Sequence, residues 1–592
     1  MIRIAAALFF WLIFFSPANP ALAQRSAADS AAVTKIPPQD SLTSPETQEI
    51  PLAGALNDQE LRSYRSDFFP LDFTQRGRLA VNTYKGMLPG LYQFEFAGKR
   101  LFDPVSGYWN EQWIPYYQIA RTTYQFGDLH ESYRPPAPVS PQPATRVFFS
   151  QDYTLGLSLV DINFLQRVSR KNYVQLSGSN FVGDGSEGAD NSRFKINTYR
   201  GQFHWQLGEK WSADIFYWHM RHGFNLGPEE PASSSDKFKL IADIAWVKLA
   251  GRLSERDSLE IVPGYQAMQD RYTRGSDRQR ENRSKLAHLD AAYFHKFSSA
   301  AAGIRLSSRW FTNEGKRFWF SRSESDGGAR AFFHWQKSGF SFRAEGGAYA
   351  HSEAGSGGTA SAALEAGLGK RLKIGAAAFS APQAIPLLWR SFNHDSIPAY
   401  PGEHLIQRQG ASLLLKINFT PSLWVQGEPF AFRTRDYPFV LQDSLRWEKR
   451  TVENRGVRVL AGWNLWRLQL QNDFTYNHHY KEAFAPQISN ISVAKISFPM
   501  FKNALKLDGV FTWRYVGYFQ IIRFNRLLSQ YRLTEFETGP FYLSDFRIQA
   551  HFRGATVFFI WENLVSEDYF FIQDTFEYLR ILRIGVDWTL FD

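Results

Sequence analysis

The side chains with most scope for chemistry are thinly spread. His219 and His222 stand three apart in HMRH, and His478 and His479 are adjacent. Successive strand residues alternate faces, so neither spacing brings two imidazoles to one metal ion. The zinc-protease pattern His-Glu-x-x-His does not occur in the chain. Cysteine is missing altogether, which removes thiolate metal sites, cysteine nucleophiles, disulfide frameworks and a lipid-modified N-terminal cysteine. Ser, Asp and His are plentiful, but no spacing selects a catalytic set. The reading is a non-enzyme with no cofactor and no metal. One basic cluster stands out: Arg523, Arg526 and Arg532 share the connection YFQIIRFNRLLSQYRLT, residues 518–534. Folded inward, three guanidiniums would make an anion-favouring constriction. An external loop or a prolonged strand is the plainer reading, and the preferred one.

The elements that must position these groups follow from composition. The 592 residues are 16% aromatic, with 18 Trp, 26 Tyr and 52 Phe, yet mean hydropathy is only -0.34. A helical bundle would need runs of about 20 apolar residues. A transmembrane β-barrel reconciles many aromatics with a polar average, because lipid-facing and water-facing side chains alternate.

Period-two alternation is present over long stretches. Phe546, Ile548, Ala550 and Phe552 alternate with Arg547, Gln549, His551 and Arg553; Phe340, Phe342, Ala344 and Gly346 alternate with Ser341, Arg343 and Glu345. Ala411, Leu413, Leu415, Ile417 and Phe419 form one face opposite Ser412, Lys416 and Asn418, interrupted by Leu414. The lumen-facing candidates are therefore Arg343, Glu345, Lys416, Arg547 and His551. Register should be firm, since a one-residue slip would put Arg343 or Arg547 into lipid at about 2–4 kcal/mol near the midplane.

The connections sort by length. Ten short turns are expected at 169–172, 208–210, 251–256, 298–300, 336–339, 367–371, 420–422, 464–465, 499–503 and 553–555. Long polar connections fall between them, at 182–192, 223–236, 272–283, 381–407, 434–447, 478–489 and 518–542. Short periplasmic turns alternating with long external loops are the build of an outer-membrane barrel. The expected fold is an all-β, transmembrane, antiparallel up-and-down β-barrel of even strand number, best counted as 22 within a range of 16–22. Trp211, Trp335, Trp424, Trp463 and Trp466 sit beside short turns, as an interfacial indole band would. The mixed-charge loop 272–283 is read as merely solvated.

Both ends carry processing signals. A short basic start, an apolar run from Ala5 to Phe15 and Ala21-Leu22-Ala23 read as a signal peptide over 1–23, with Gln24 the first mature residue. Residues 24–58 form a proline-rich flexible tail, 59–145 an aromatic segment leading through the linker PPAPVSPQP, and 146–592 the barrel. Strands are expected at Leu91–Ala97 and Tyr116–Phe126. The segment is short for a complete plug, and its place, lumen or periplasmic face, stays open. The formal charge of +10 loses Arg3 and then a tail of -3, leaving +12 on 59–592. No nucleic-acid motif accompanies that charge. At the C-terminus, Arg583-x-Gly585-x-x-Trp588-x-Leu590, closed by Phe591, has the spacing of a terminal strand handed to the barrel-assembly machinery by edge pairing.

FYLSDFRIQAHFRGATVFFIWENLVSEDYFF, then YLRILRIGVDWTLFD, together with PYYQIARTTYQFGD at 115–128, resemble the putative porins of the Bacteroidota type. The chain departs from them at Phe576-Glu577-Tyr578, where a Tyr-Pro step is expected. The resemblance implies a barrel with pore function in the outer membrane of a Gram-negative-type bacterium, and no catalytic residues. The leading expectation is passive passage of small hydrophilic solutes with a weak preference for anions. The partners are then outer-membrane lipid, the assembly machinery and those solutes. The alternative is a closed or plugged barrel acting in surface-polysaccharide assembly, or as a receptor or substrate-specific transporter, which a filled lumen would favour. A barrel enzyme comes third.

Overall fold

Long alternating strands joined by short turns can satisfy every backbone hydrogen bond only by closing into a cylinder. The computed structural model is such a cylinder. It describes residues 62–591, apart from 63, 71–81, 184–193, 227–235, 317–321, 392–399, 401–403, 441–446, 570–579 and some shorter stretches. The expected signal peptide, its cleavage residues Ala21, Ala23 and Gln24, and the tail lie outside the described residues. So does Arg526.

Twenty-two antiparallel strands close the barrel in chain order. The first, Ala144–Asp152, pairs with the last, Ile581–Phe591, in register from Phe591↔Ala144 to Arg583↔Asp152. Nine of the ten expected short turns overlap the connections between strands, and all ten lie within two residues of them at each end. The tenth is shifted by two residues without overlap: the strand Trp447–Leu465 includes 464–465, and Trp466-Arg467 make the turn. Trp466 takes a positive φ of 46° and is 91% exposed. Such a backbone favours Gly or Asn, so Asn464 was the misleading signal.

Three expected loops carry strand in their described residues. The segment 272–283 is the tip of a hairpin between Asp257–Arg274 and Asp277–Lys296, paired as far as Arg274↔Asp277. It is not merely solvated: Arg280 is buried against Asp270 at 2.7 Å. The strand Leu423–Val440 likewise continues into 434–447. Within 518–542, Phe519–Asn525 and Gln530–Thr538 form a hairpin outside the barrel sheet. A 20-residue strand tilted near 45° rises roughly 48 Å, about twice the apolar band of an outer-membrane barrel. Polar residues in its upper part need not break the ladder.

The faces are inverted relative to a soluble protein. Tyr199, Ile304, Trp310, Leu364 and Leu413 point outward and are 47–57% exposed, whereas His222, Gln266, Thr475, Asp508 and Gln549 point inward and are at most 1% exposed. Inward polar groups this well buried need something to cover them. Residues from the N-terminal segment provide it. Strands β1 (Phe68–Pro70) and β2 (Asn82–Tyr84) pair antiparallel. Then β3 (Gln93–Phe96), β4 (Lys99–Leu101), β5 (Arg121–Tyr124) and β6 (His130–Arg134) make a sheet in the order β4-β3-β6-β5. Both sheets sit in the lumen.

Candidate functional site

The lumenal segment is built around buried charge. Arg62 reaches Glu111 at 3.1 Å and Glu131 at 2.6 Å, and Arg65 reaches Glu131 at 2.8 Å and Asp67 at 3.2 Å. The Arg62 guanidinium lies 4.3 Å from the centre of the Phe94 ring and 4.9 Å from that of Phe68. Buried cations held by carboxylates and ring faces have few alternative arrangements, which adds direction to the apolar core that Phe68, Tyr92, Phe94 and Tyr133 share with the wall.

The same segment is tied to the wall around its circumference. Arg458 of the wall grips Asp67 at 2.6 Å and its neighbour Asp473 at 2.6 and 2.9 Å. Ser66 donates its N–H to Asp473 at 3.2 Å, and its hydroxyl lies 2.7 Å from that of Thr475. Burial alone would raise the Asp67 carboxyl, but Arg458, Arg65 and Lys85 outweigh it and hold the group at about 2. Lys85 pairs with Glu428, and Asn454 donates to the Lys85 carbonyl at 2.6 Å. Gly86 follows with φ +71°, where a Cβ would sit 2.6 Å from the Asn454 amide. Further round, Trp113 donates to His222 at 3.3 Å and Gln266 donates to the Phe102 carbonyl at 3.2 Å. Phe96 packs edge-on against Trp218 at 4.8 Å.

The sequence candidates fall at different places. Arg343 donates to the Phe126 carbonyl at 2.6 Å, and Arg547 donates to the Tyr64 hydroxyl at 3.3 Å, so both touch the lumenal segment. Glu345 accepts from Arg330 at 3.1 Å. Lys416 lies 5.2 Å from the Trp424 ring, and His551 bonds Thr556 at 2.9 Å and Asp508 at 3.2 Å. Leu414, which broke the alternation, packs with Ala363 and Ala377 around Phe126 of the segment. His219 and His222 part to opposite faces as expected; His219 bonds Asp243 at 2.9 Å. Arg523 and Arg532 are register partners on the 519–538 hairpin, and neither lines the cavity described next. The hairpin is nevertheless tucked in at both ends: at its tip Leu528 is fully buried and its carbonyl accepts from Trp389 at 3.0 Å, and at its foot Phe519 packs on Phe69 at 5.3 Å. At the chain end, Arg583 pairs with Glu562, Trp588 is 48% exposed, and Leu590 and Phe591 pair with Thr145 and Ala144. A Cβ on Gly585 would meet the Phe558 ring at 2.2 Å.

A cavity of about 430 Å³ separates the lumenal segment from one side of the wall. Its lining runs from the Lys248–Glu260 pair (2.9 Å), near the short turn 253–256, to the Arg390–Glu324 pair (2.7 and 2.8 Å), beside the long connection after Ala384. Small wall residues such as Gly328, Thr359 and Ala381 leave the space. Eight Lys and Arg side chains line it against five Asp and Glu, a net of +3 with its histidines neutral. Among them, Arg100 on β4 and Arg309 on the wall lie 5.5 and 4.9 Å from the same Phe102 ring. Sequence reasoning did not single these out. The inward parity of Arg309 and Arg330 was readable, but the approach of β4 was not.

Residues 449–592 match the family model described as "putative porin". The match covers the segment on which the putative-porin resemblance chiefly rested, from Phe541 to the end. No curated protein matches the chain. Among solved structures, the siderophore receptor PirA from Acinetobacter baumannii superposes with a TM-score of 0.73 at 11% identity, covering 92% of this chain and 97% of that one. The FrpB iron transporter from Neisseria meningitidis gives 0.71 at 10% identity, covering 90% and 97%. A mutant of the ferric enterobactin receptor PfeA from Pseudomonas aeruginosa gives 0.73 at 12%, covering 91% and 96%. At these identities the likeness is one of fold: the putative-porin match ends a barrel that, over nearly its whole length, is shaped like receptors and transporters.

Proposed function

We propose that the protein is an outer-membrane transporter for small hydrophilic solutes, closed at rest by its own N-terminal segment, rather than a permanently open pore. The observation that carries this reading is the seating of the described residues between 62 and 134 in the lumen, ion-paired to the wall through Asp67–Arg458 and Lys85–Glu428. Of the functions weighed from sequence, a filled lumen favours the plugged alternative. A receptor or substrate-specific transporter suits it better than free diffusion. The outward apolar band then meets outer-membrane lipid, and the final strand with Gly585 and Trp588 is what the assembly machinery engages. Solute passage requires the segment to shift or part from the wall.

The test is conductance. Purified full-length protein in a planar lipid bilayer should give no steady current, with brief openings only when urea loosens the segment. A stable ohmic conductance from the untreated protein would refute the reading and restore the open porin.

A further inference from the structure

The cavity between β4 and the wall contains a cation whose surroundings do not balance it. The Arg100 guanidinium makes no ion pair among the described residues, and its Nε, buried from solvent, lacks a hydrogen-bond partner. The strongest charge interactions on it are mostly with cations: Arg309, Arg408 and Arg330 oppose it, and the carboxylates Asp326 and Asp290 offset them only in part. Asp326 is already engaged by Arg309 at 2.6 Å, and Arg330 is held by Glu345 at 3.1 Å. Burial, then these arginines, push the Arg100 group down to about 9, so the charged form is kept at a cost that an incoming anion would relieve. Phe102 steadies both Arg100 and Arg309 by its ring. Guanidinium is the group that pairs with carboxylate or phosphate oxygens in a fixed two-pronged geometry. The volume falls in the range of small-molecule sites, about 300–1,000 Å³.

We infer that Arg100, Arg309, Arg330 and Arg408 form a binding site for an oxyanion group of the transported solute, a carboxylate or a phosphate, held between the plug and the barrel wall. The inference rests on the transporter reading and names its substrate class. Because Arg100 belongs to the plug and the other three to the wall, an anion bound there bridges the two bodies that transport must separate. Occupancy and plug position are thereby coupled.

Full-length protein in detergent, titrated calorimetrically, tests this with three probes: citrate, inorganic pyrophosphate and the neutral sugar raffinose. At least one anion should bind saturably, about one per chain and more weakly at high salt, and raffinose should not. Which anion binds separates the carboxylate from the phosphate source. Arg100→Gln should weaken binding about tenfold or more, and Arg100→Lys should fall between, since an ammonium lacks the fork. Arg371→Gln, on an exposed short turn, should bind like the parent. Retained heat-modifiable migration in gels confirms a folded barrel in each variant. Failure of both anions to bind, equal binding by Arg100→Gln, or binding of raffinose as tight as the anions overturns the inference. A sealed barrel that binds no oxyanion defeats the arginine site alone. One that conducts freely yet binds pyrophosphate through Arg100 defeats the gating alone.

Discussion

Arg458→Met is the sharpest probe of what holds the plug. Arg458 is the hub of the contact: Asp67, with no side-chain exposure, and Asp473, with 3%, both depend on it. Methionine keeps most of the volume and removes the charge, leaving two buried carboxylates without their main partner. Breaking a buried pair in this way costs about 3–5 kcal/mol. Arg65 still reaches Asp67 and Ser66 still donates to Asp473, so the lower end applies. About 3 kcal/mol raises the undocked fraction by roughly two orders of magnitude. The cysteine-free chain supplies the assay. Val105→Cys places a thiol on a plug residue that is 4% exposed, and maleimide labelling then reports undocking. Labelling should quicken about 100-fold in Arg458→Met while the barrel stays heat-modifiable. Asp67→Asn should act in the same direction, and the double variant should fall short of the sum. The pH sign also follows. Asp67 is held at about 2, below its ordinary 3.8, so its contribution is complete above pH 4 and is lost as pH falls through about 2. An unchanged labelling rate in Arg458→Met would refute the assignment of this contact as the plug's latch.

Three further outcomes are expected. Ser66→Cys with Thr475→Cys, whose hydroxyls lie 2.7 Å apart, should crosslink on oxidation and abolish urea-elicited conductance in planar bilayers, with recovery on reduction. Asp103 is pushed up to about 6 by burial despite accepting from Ser106 and Val105. Docking measured by the same labelling should therefore tighten as pH falls from about 6 towards 4, and Asp103→Asn should flatten that response. Gly585→Val should sharply reduce heat-modifiable barrel in isolated membranes, because the added carbon would sit 2.3 Å from the Phe149 carbonyl on the paired first strand.

The barrel was legible because its information is local. Alternation, turn composition and parity act over a dozen residues, and they led to 22 strands. Where local signals conflicted with pairing, the reading slipped. Asn464 suggested a turn that Trp466 makes, and the charges of 272–283 suggested a loop where a hairpin continues. The plug was not legible, since its contacts join residues far apart in sequence. Ser66 and Asp473 are separated by 407 positions, and no spacing rule reaches that far. Arg309 and Arg330 could be assigned inward by parity. That they surround Arg100 depends on where β4 docks.

One trace of the plug was nonetheless present in the wall. In an open pore, inward positions meet water and should be polar along the whole strand. Leu414 violated that, and it proves to cover Phe126. Phe216, Trp218 and Trp246 violate it more strongly, and they enclose Phe96, with ring centres 6.2, 4.8 and 6.3 Å away. Burying such rings against another body is favourable by about 25 cal/mol per Å², whereas lining a water channel with them gains nothing. Apolar residues on the inward parity of an outer-membrane strand therefore mark where a second body sits in the lumen. The charged wall residues beside them, Lys248, Arg309, Arg330 and Arg408 among them, mark where that body stands off the wall around the cavity.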